Sequence, residues 1–171
     1  MKLNIGCGNK RIEGYIGVDK FECKGSDFLC DIENEALPFN DNSCTHILLD
    51  NVVEHFSKVN EVFKEIHRVS DNNCEINIIT PHFSSLSSWI DPTHKLHLSY
   101  FSFDHFCKTD SLYYLGSSYE IIEKKLTFPG GIQGLIGRVI FKISPKKYEK
   151  KYCFIFRAST LHVLLRVKKI N

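Results

Sequence analysis

The feature that most constrains the fold of this chain is a series of short apolar segments, separated by turns or by helical patterns. Each segment has the length of a β-strand, and short apolar strands that alternate with helices predict an α/β sandwich with a mostly parallel sheet. Ligands of such sheets bind beyond the carboxyl ends of the strands, so the residues that follow each strand are the candidate site residues. The predicted strands are Lys2–Ile5, Tyr15–Val18, Asp27–Cys30, Thr45–Asp50, Glu75–Thr80, Tyr119–Leu126 and Leu161–Val167.

Two helices are predicted between these strands. The clearer one spans Ser57–Val69, where Ser57 can cap the first turn and apolar residues recur at helical spacing. The polar residues Asp71 and Asn72 then turn the chain into the next strand. A second helix is predicted around Ser102–Leu115.

Length and composition predict a single domain over residues 1–171. With 43% hydrophobic residues the chain can bury one core. No stretch approaches the roughly 20 apolar residues of a membrane span, and the first residues do not form a signal sequence, so we expect a cytoplasmic protein. The seven cysteines occur without any Cys-x-x-Cys pair, which indicates reduced thiols. No metal site is predicted.

The first strand leads into a Gly6-Cys7-Gly8 turn, whose glycines allow a close approach of the backbone to a ligand. A dinucleotide fingerprint would place a third glycine where Arg11 stands and an acidic residue roughly 20 residues further on, whereas Asp19 comes earlier. Only about nine residues separate the two strands, so a pyrophosphate would lack a full helix N-terminus. The pattern therefore favours a nucleoside cofactor without a pyrophosphate over a nicotinamide cofactor. The alternative is a glycine-rich hairpin in which Asp19 caps the next turn.

A carboxylate and an aliphatic residue also follow the third strand. Asp31 is placed to accept a hydrogen bond from the exocyclic amine of a purine, and Ile32 to pack on the ring. The alternative for Asp31 is a solvent-facing turn residue. Together with Asp19, this strand end strengthens the prediction of a nucleoside site.

Five segments then occur in an order that is typical of one enzyme family: LNIGCG, GYIGVD, CDI, LPFNDNS and NVVEHF. From residue 3 to about residue 82 the chain resembles the class I S-adenosylmethionine-dependent methyltransferases, especially small bacterial enzymes of the methyltransferase-11 type that are often attached to surface-glycan pathways. The resemblance implies a Rossmann-like sandwich, with a mostly parallel seven-stranded sheet and helices on both faces. It also implies S-adenosylmethionine as the cofactor.

The resemblance further implies which residues hold the cofactor. The glycine turn would lie beneath the methionine moiety, Asp19 would hold the ribose, and the end of the fourth strand would face the sulfonium. The chain departs from the family at Asn4, where an acidic residue is usual, and at Asn9, where a glycine is common. The implied cofactor-binding residues are Asn4, Gly6, Cys7, Gly8, Asp19, Lys20, Asp31, Ile32, Asp50, Asn51 and Val52.

The candidate catalytic residues are mainly histidines, because methyl transfer to an alcohol benefits from a general base. His82 follows the fifth strand, at the edge where acceptors usually approach, and is the leading candidate. His55 follows the fourth strand and is the better candidate for shaping the cofactor pocket. In a long loop, Asp91 is placed to orient His94 as a base. Structural hydrogen bonding is the alternative for these histidines, and metal binding by Asp91, His94 and His97 is a further one.

The charge is distributed unevenly along the chain. Residues 138–171 contain ten of the 22 lysines and arginines but only one of the 20 acidic residues. This basic end predicts an anionic partner, which is a phosphate-bearing small molecule, a glycan acceptor or a membrane surface. A solvated face is the alternative. The oligomeric state is left open.

The methylated atom is predicted to be oxygen. The Asn/Asp-Pro-Pro-Tyr/Phe tetrapeptide of amino-methylating relatives is absent, and Asp50-Asn51-Val52-Val53 stands in its place. The predicted function is therefore O-methylation of a sugar or another small anionic acceptor. The alternatives are a methyltransferase-like module that binds the cofactor without catalysis and a methyltransferase that acts on RNA; nucleic acid is disfavoured because an aromatic RNA-binding signature is lacking.

Overall fold

The structure is a computed structural model that describes residues 1–107 and 118–169. Seven strands form one sheet in the order β3-β2-β1-β4-β5-β7-β6. Strands β1 to β5 run parallel to their neighbours, and β7 is antiparallel to both β5 and β6. The predicted α/β class and mostly parallel seven-stranded sheet are confirmed. The strands are β1 Lys2–Ile5, β2 Ile16–Asp19, β3 Phe28–Leu29, β4 Cys44–Asp50, β5 Ser70–Pro81, β6 Ser118–Leu126 and β7 Thr160–Lys168.

The main core lies between the sheet and helix α1, Val59–Val69. Four apolar side chains of α1 recur at helical spacing and are fully buried, as the sequence predicts. The predicted cap is wrong: the Glu33 carboxylate accepts hydrogen bonds from the backbone N–H groups of Ser57 and Lys58, at 2.6 and 2.8 Å, and no side chain of the N-cap residue Lys58 caps the helix. A residue distant in sequence therefore binds the two backbone N–H groups that directly precede the first helical residue.

The second face of the sheet is less covered. Along β7, buried residues alternate with half-buried ones. The connections β1–β2 and β2–β3, both fully described, contain no helix, and they pass so close that a Cβ on Gly25 would lie 2.6 Å from the Gly8 carbonyl oxygen. The short crossover that the sequence predicts is thus present as a packed loop.

Two helices near the carboxyl end of the chain were not predicted. Helix α2 spans Gly131–Ile143 and helix α3 spans Pro145–Lys151. The three glycines within α2 lower its helix propensity and obscure it in the sequence. By contrast, Ser144 caps α3, with its hydroxyl accepting from the Lys147 N–H at 3.2 Å, and this Ser-Pro start is a recognisable signal. A small second core packs around Tyr148 and Phe128 beneath these helices.

The structure also bears on the second predicted helix and on the cysteines. Of the predicted helix Ser102–Leu115, residues Ser102–Cys107 form a 3₁₀ helix and residues 108–115 lie outside the described residues. All seven cysteines carry free thiols. None of the described helices is long and apolar enough to cross a membrane. The single domain stays a prediction.

Candidate active site

A cavity of about 630 Å³ opens at the carboxyl ends of β1, β2, β3 and β4. This volume falls within the range of about 300–1,000 Å³ that is usual for small-molecule sites. Its position is the one expected for ligands of a parallel α/β sheet. Eight predicted site residues line it: Gly6, Asp19, Lys20, Asp31, Ile32, Asn51, Val52 and His55.

The turn after β1 requires glycine at position 6. Gly6 has a φ of 68°, which side chains rarely adopt, and a Cβ there would lie 2.3 Å from Cγ2 of Val52. The Gly6 N–H donates to the Val18 carbonyl oxygen at 2.8 Å. The turn is therefore held tightly between β2 and the segment after β4, with its backbone at the floor of the cavity.

Two carboxylates are fixed at the ends of β2 and β3. Asp19 accepts from the backbone N–H of Gly8 at 2.9 Å and of Phe21 at 3.0 Å, one on each oxygen. Asp31 likewise accepts from the Glu33 N–H, at 3.2 Å. Each carboxylate oxygen can accept further bonds, so both groups can receive hydroxyl or amine donors from a ligand in the cavity.

Other predicted cofactor residues lie behind the cavity wall. Asn4 is buried, and its Nδ2 donates to the Lys10 carbonyl oxygen at 3.2 Å, which holds the glycine turn from below. Asp50 is paired with Nζ of Lys10 at 2.6 Å. Burial raises the pKa of the Cys7 thiol to about 12, so Cys7 is a packing residue, not a nucleophile. The absence of an acidic residue at position 4 is explained locally, because the side chain there binds the protein's own backbone.

His55 has a defined hydrogen-bonding partner. Its Nδ1 lies 3.0 Å from Oγ1 and 3.3 Å from the carbonyl oxygen of Thr93. The Thr93 hydroxyl donates to Oδ1 of Asp91 at 2.6 Å, so its oxygen can only accept from His55. The carbonyl oxygen is also only an acceptor. Nδ1 therefore carries the proton, and Nε2 of neutral His55 is the nitrogen with the free lone pair.

Asp91, at the far end of this series of hydrogen bonds, is kept ionised. Hydrogen bonds from the hydroxyl and N–H of Thr93 lower the pKa of Asp91. Sequence reasoning expected Asp91 to orient His94, but Oδ2 of Asp91 lies 3.8 Å from His94 Nε2, which is too far for a hydrogen bond. The structure instead links Asp91 to His55 through Thr93.

His94 is half-buried and lies beside the buried Glu54. Its Nδ1 lies 3.1 Å from the Ser88 carbonyl oxygen, and its Nε2 is 4.0 Å from Glu54 Oε1. That oxygen is buried and has no hydrogen-bond partner, whereas Oε2 accepts from the Thr80 hydroxyl at 2.9 Å. Burial raises the pKa of Glu54. Glu54, His55 and His94 each offer a ligand atom within 4.8 Å of the others, a donor set that also suits a divalent cation.

The leading sequence candidate, His82, lies away from the cavity. It is fully buried, with Nδ1 2.8 Å from the Ser84 hydroxyl and Nε2 3.0 Å from Oε1 of Glu149. The same Glu149 oxygen accepts from the Tyr100 N–H at 2.6 Å. Both ring nitrogens are therefore engaged, and His82 joins the end of β5 to α3. His55, which lines the cavity, is therefore the better-placed candidate for the base.

Several cavity residues were missed by sequence reasoning. Phe21, Pro92, Thr93 and Lys95 line the cavity. Asp91, Thr93 and Lys95 come from one loop, which backbone bonds from Lys95 and Leu96 to the Glu54 carbonyl oxygen anchor at 2.8 and 2.9 Å. This contact joins distant parts of the chain and has no local sequence signal.

The architecture is that of a class I methyltransferase, and comparisons with known proteins agree. Residues 3–76 match the sequence profile of the methyltransferase domain family. A SAM-dependent methyltransferase from Archaeoglobus fulgidus superposes with a TM-score of 0.63 at 21% identity, over 96% of this chain and 85% of its own. One from Mesorhizobium loti gives 0.62 at 14% identity, over 96% and 89%. The [4+2]-cyclase SpnF gives 0.62 at 12% identity, over 99% and 75%.

No curated protein is detectably similar to this chain in sequence. The profile match covers residues 3–76, less than half of the chain. The predicted enzyme class, a SAM-dependent methyltransferase, and the predicted cofactor, S-adenosylmethionine, are confirmed.

Proposed function

We propose that this enzyme methylates a hydroxyl oxygen of a small anionic acceptor, such as a sugar of a glycan pathway, with His55 as the general base. The observation that carries the proposal is that His55, in a defined tautomer, lines the same cavity as the two fixed carboxylates Asp19 and Asp31. A role in glycan biosynthesis and a cytoplasmic location are part of the same proposal.

The cavity residues fit the cofactor. Asp19 would hold the ribose hydroxyls and Asp31 the adenine amine, with Ile32 against the ring; the positive φ of Gly6 brings backbone to the floor beside Val52. When bound, S-adenosylmethionine supplies an electrophilic methyl group, so that an O–C bond to the acceptor forms as the S–C bond breaks and S-adenosylhomocysteine leaves. Holding the acceptor in line supplies much of the rate.

The protein's own acid–base chemistry follows from the hydrogen bonds. The hydroxyl proton of the acceptor passes to Nε2 of His55, whose lone pair is kept free because Nδ1 donates to Thr93. The resulting imidazolium is stabilised through Thr93 by the ionised Asp91. A histidine base oriented by a carboxylate is a recurring device in enzymes.

Two lysines support an anionic acceptor. Lys20 and Lys95 both line the cavity, and Lys95 lies on the same loop segment as Thr93, beside the base. A phosphate or carboxylate on the acceptor would be attracted to these cations. Asp19 and Asp31 are expected to face the cofactor. Lys95 is then the cation for the acceptor, and Lys20, which the resemblance assigns to the cofactor, adds positive charge to the same cavity.

The experiment measures binding and transfer separately. Calorimetry with S-adenosylhomocysteine is expected to show binding that Asp19→Ala weakens by about 1–3 kcal/mol, because a buried polar ligand group loses its partner. Methyl-labelled S-adenosylmethionine is then offered with a panel of neutral and phosphorylated sugars. With the acceptor found, His55→Gln is expected to lower kcat by about 100-fold or more. The matched control is His105→Gln, at an exposed position outside the cavity lining.

The outcomes separate the competing functions. Binding without any labelled product would favour the module that binds the cofactor without catalysis. Label in RNA rather than in sugars would favour an RNA methyltransferase. Full activity of His55→Gln would overturn the assignment of the base while leaving the methyltransferase itself in place.

A further inference from the structure

Helix α2 presents an apolar stripe to solvent. Five aliphatic side chains on it are between 38% and 77% exposed. With about 100° per residue, they fall on one face of the helix, within an arc of roughly 100°. We call this face the α2 stripe; its members are Ile132, Leu135, Ile136, Val139 and Ile143.

The helix packs on the protein through the opposite face. Gly134 and Gly137 are its buried residues. A Cβ on Gly134 would lie 1.8 Å from the Pro129 carbonyl oxygen, and one on Gly137 would lie 3.0 Å from the ring of Phe128. The glycines thus bring the helix close to the protein and leave its aliphatic residues pointing outward, the reverse of α1. Such a concentrated apolar surface marks an interaction site.

Basic residues of α2, of α3 and of the segment after α3 lie near the α2 stripe, and we call them the basic rim. Arg138 and Lys142 lie on α2 itself and are exposed. Residues 127–157 contain one acidic residue, Glu149, and one of its carboxylate oxygens is engaged by His82 and Tyr100. Helix α3 and the segment after it add further exposed cations, Lys146, Lys147, Lys150, Lys151 and Arg157.

Aromatic contacts connect this surface to the cavity loop. Phe154, 64% exposed, follows α3, and its ring centroid is 5.4 Å from that of Phe83. Trp89, 57% exposed, donates from Nε1 to the Phe83 carbonyl oxygen at 2.7 Å. The same loop reaches the cavity at Thr93 and Lys95. The exposed aromatic residues thus extend from the end of α3 towards the acceptor side of the cavity.

We propose that the α2 stripe and its basic rim dock this protein onto an anionic lipid bilayer surface. An exposed helix with aliphatic residues on one face and lysines and arginines beside it is the pattern of helices that lie in a membrane interface. The cations would contact the lipid headgroups while the aliphatic side chains enter the acyl boundary.

The charges favour a bilayer over the other occupants of an apolar face. Two copies of this chain that paired through α2 would bring two basic rims together, which is unfavourable. RNA would satisfy the cations but would leave the aliphatic side chains without an apolar partner. The proposal is independent of methyl transfer, since it concerns a surface outside the cavity and its test needs no acceptor.

The test is flotation of the full chain with vesicles. One set of vesicles is phosphatidylcholine alone, and in the other about one third of the lipid is phosphatidylglycerol. We expect binding to the anionic vesicles that weakens as salt is raised, and weaker binding to neutral ones. Binding to neither set, with the wild-type chain folded by circular dichroism, would overturn the proposal.

Surface variants separate the two contributions. Lys146→Gln with Lys150→Gln is expected to lower the vesicle partition coefficient by roughly 30-fold, at about 1 kcal/mol per lysine. The matched control is Lys24→Gln with Lys64→Gln, two lysines of the acidic part of the chain. Leu135→Gln with Val139→Gln is expected to lower binding to both vesicle types at least about tenfold. Ile122→Gln, at a 38% exposed position on β6, is its control.

Three results would contradict docking of the α2 stripe on a bilayer. A dimer in solution, seen by light scattering and abolished by Leu135→Gln, would assign the stripe to a second copy. Vesicle binding that survives both the lysine variant on α3 and the aliphatic variant on α2 would overturn the proposal. A third result is that the wild-type chain binds single-stranded RNA but does not float with vesicles. If only the lysine variant then lost RNA binding, the basic rim would be assigned to nucleic acid.

Discussion

At the scale of single residues, the site depends on which ring nitrogen of a histidine is free. In the sequence, His82 is the leading base candidate and His55 is the candidate for shaping the cofactor pocket, although each follows a strand of the sheet. In the structure both nitrogens of His82 have partners, whereas Thr93 engages only Nδ1 of His55. The difference depends on contacts with Glu149 and Thr93, which are distant in sequence and cannot be read from local patterns.

Thr93→Val is predicted to disable His55 without removing it. Valine cannot accept from Nδ1 or donate to Asp91, so Nδ1 keeps only the longer contact, 3.3 Å, with the carbonyl oxygen of residue 93, and the charged imidazole loses its link to Asp91. We expect kcat to fall about tenfold or more, with a shifted pH profile. Thr93→Ser retains the hydroxyl and is expected to restore most activity. If valine and serine behaved alike in steady-state kinetics, the hydroxyl would have no positioning role.

At the scale of elements, the turn after β1 shows how a glycine pattern becomes a site. Gly6 and Gly8 both have positive φ values, of 68° and 50°. Only Gly6 is also crowded, because a Cβ there would meet Val52, whereas a Cβ on Gly8 would have no neighbour within 4 Å. The two glycines therefore differ in their structural demand, although the sequence presents them as a pair.

The two glycines provide a matched pair of variants. Gly8→Ala is expected to cost about 1–2 kcal/mol of stability from backbone strain alone. Gly6→Ala adds the clash with Val52, so we expect it to cost more and to weaken binding of S-adenosylhomocysteine, because the cavity floor must shift. Urea denaturation and calorimetry measure the two effects. Equal costs for both variants would contradict the crowding at Gly6.

At the scale of the whole molecule, a buried carboxyl links stability to pH. Burial raises the pKa of Glu54 above its ordinary value of 4.5, so the folded protein retains a proton that the unfolded chain has already released. The contribution of this group to stability is therefore fully present below about pH 4.5 and is lost as pH rises through the folded-state pKa.

Glu54→Gln removes this dependence, because glutamine does not ionise. Compared with the wild type, we expect the variant to gain stability steadily as pH rises above 4.5 and to approach the wild type at lower pH. Taking the difference between the two free energies of unfolding cancels the other titrating groups. A difference that did not change with pH would show that Glu54 ionises normally in the folded protein.

The sequence by itself determined the architecture and the position of the cavity at the strand ends. Strand periodicity and the polar residues at strand ends are local features, and in a parallel sheet they converge on one edge whatever the side chains elsewhere do. Asp19, Asp31 and the Gly6 turn were found in this way. Helix α2 was not, since its glycines lower helix propensity and its apolar residues face outward, so neither propensity nor burial patterning signals it.

Only the tertiary structure decided which histidine is available, what caps α1 and which surface is left uncovered. The hydrogen bonds from Asp91 through Thr93 to His55 join a loop to the segment that follows β4. Glu33 binds the start of a helix more than 20 residues away. These contacts depend on the distance between atoms of separate elements. Local sequence patterns do not predict such distances, because these hydrogen bonds and this burial form only when the elements pack together.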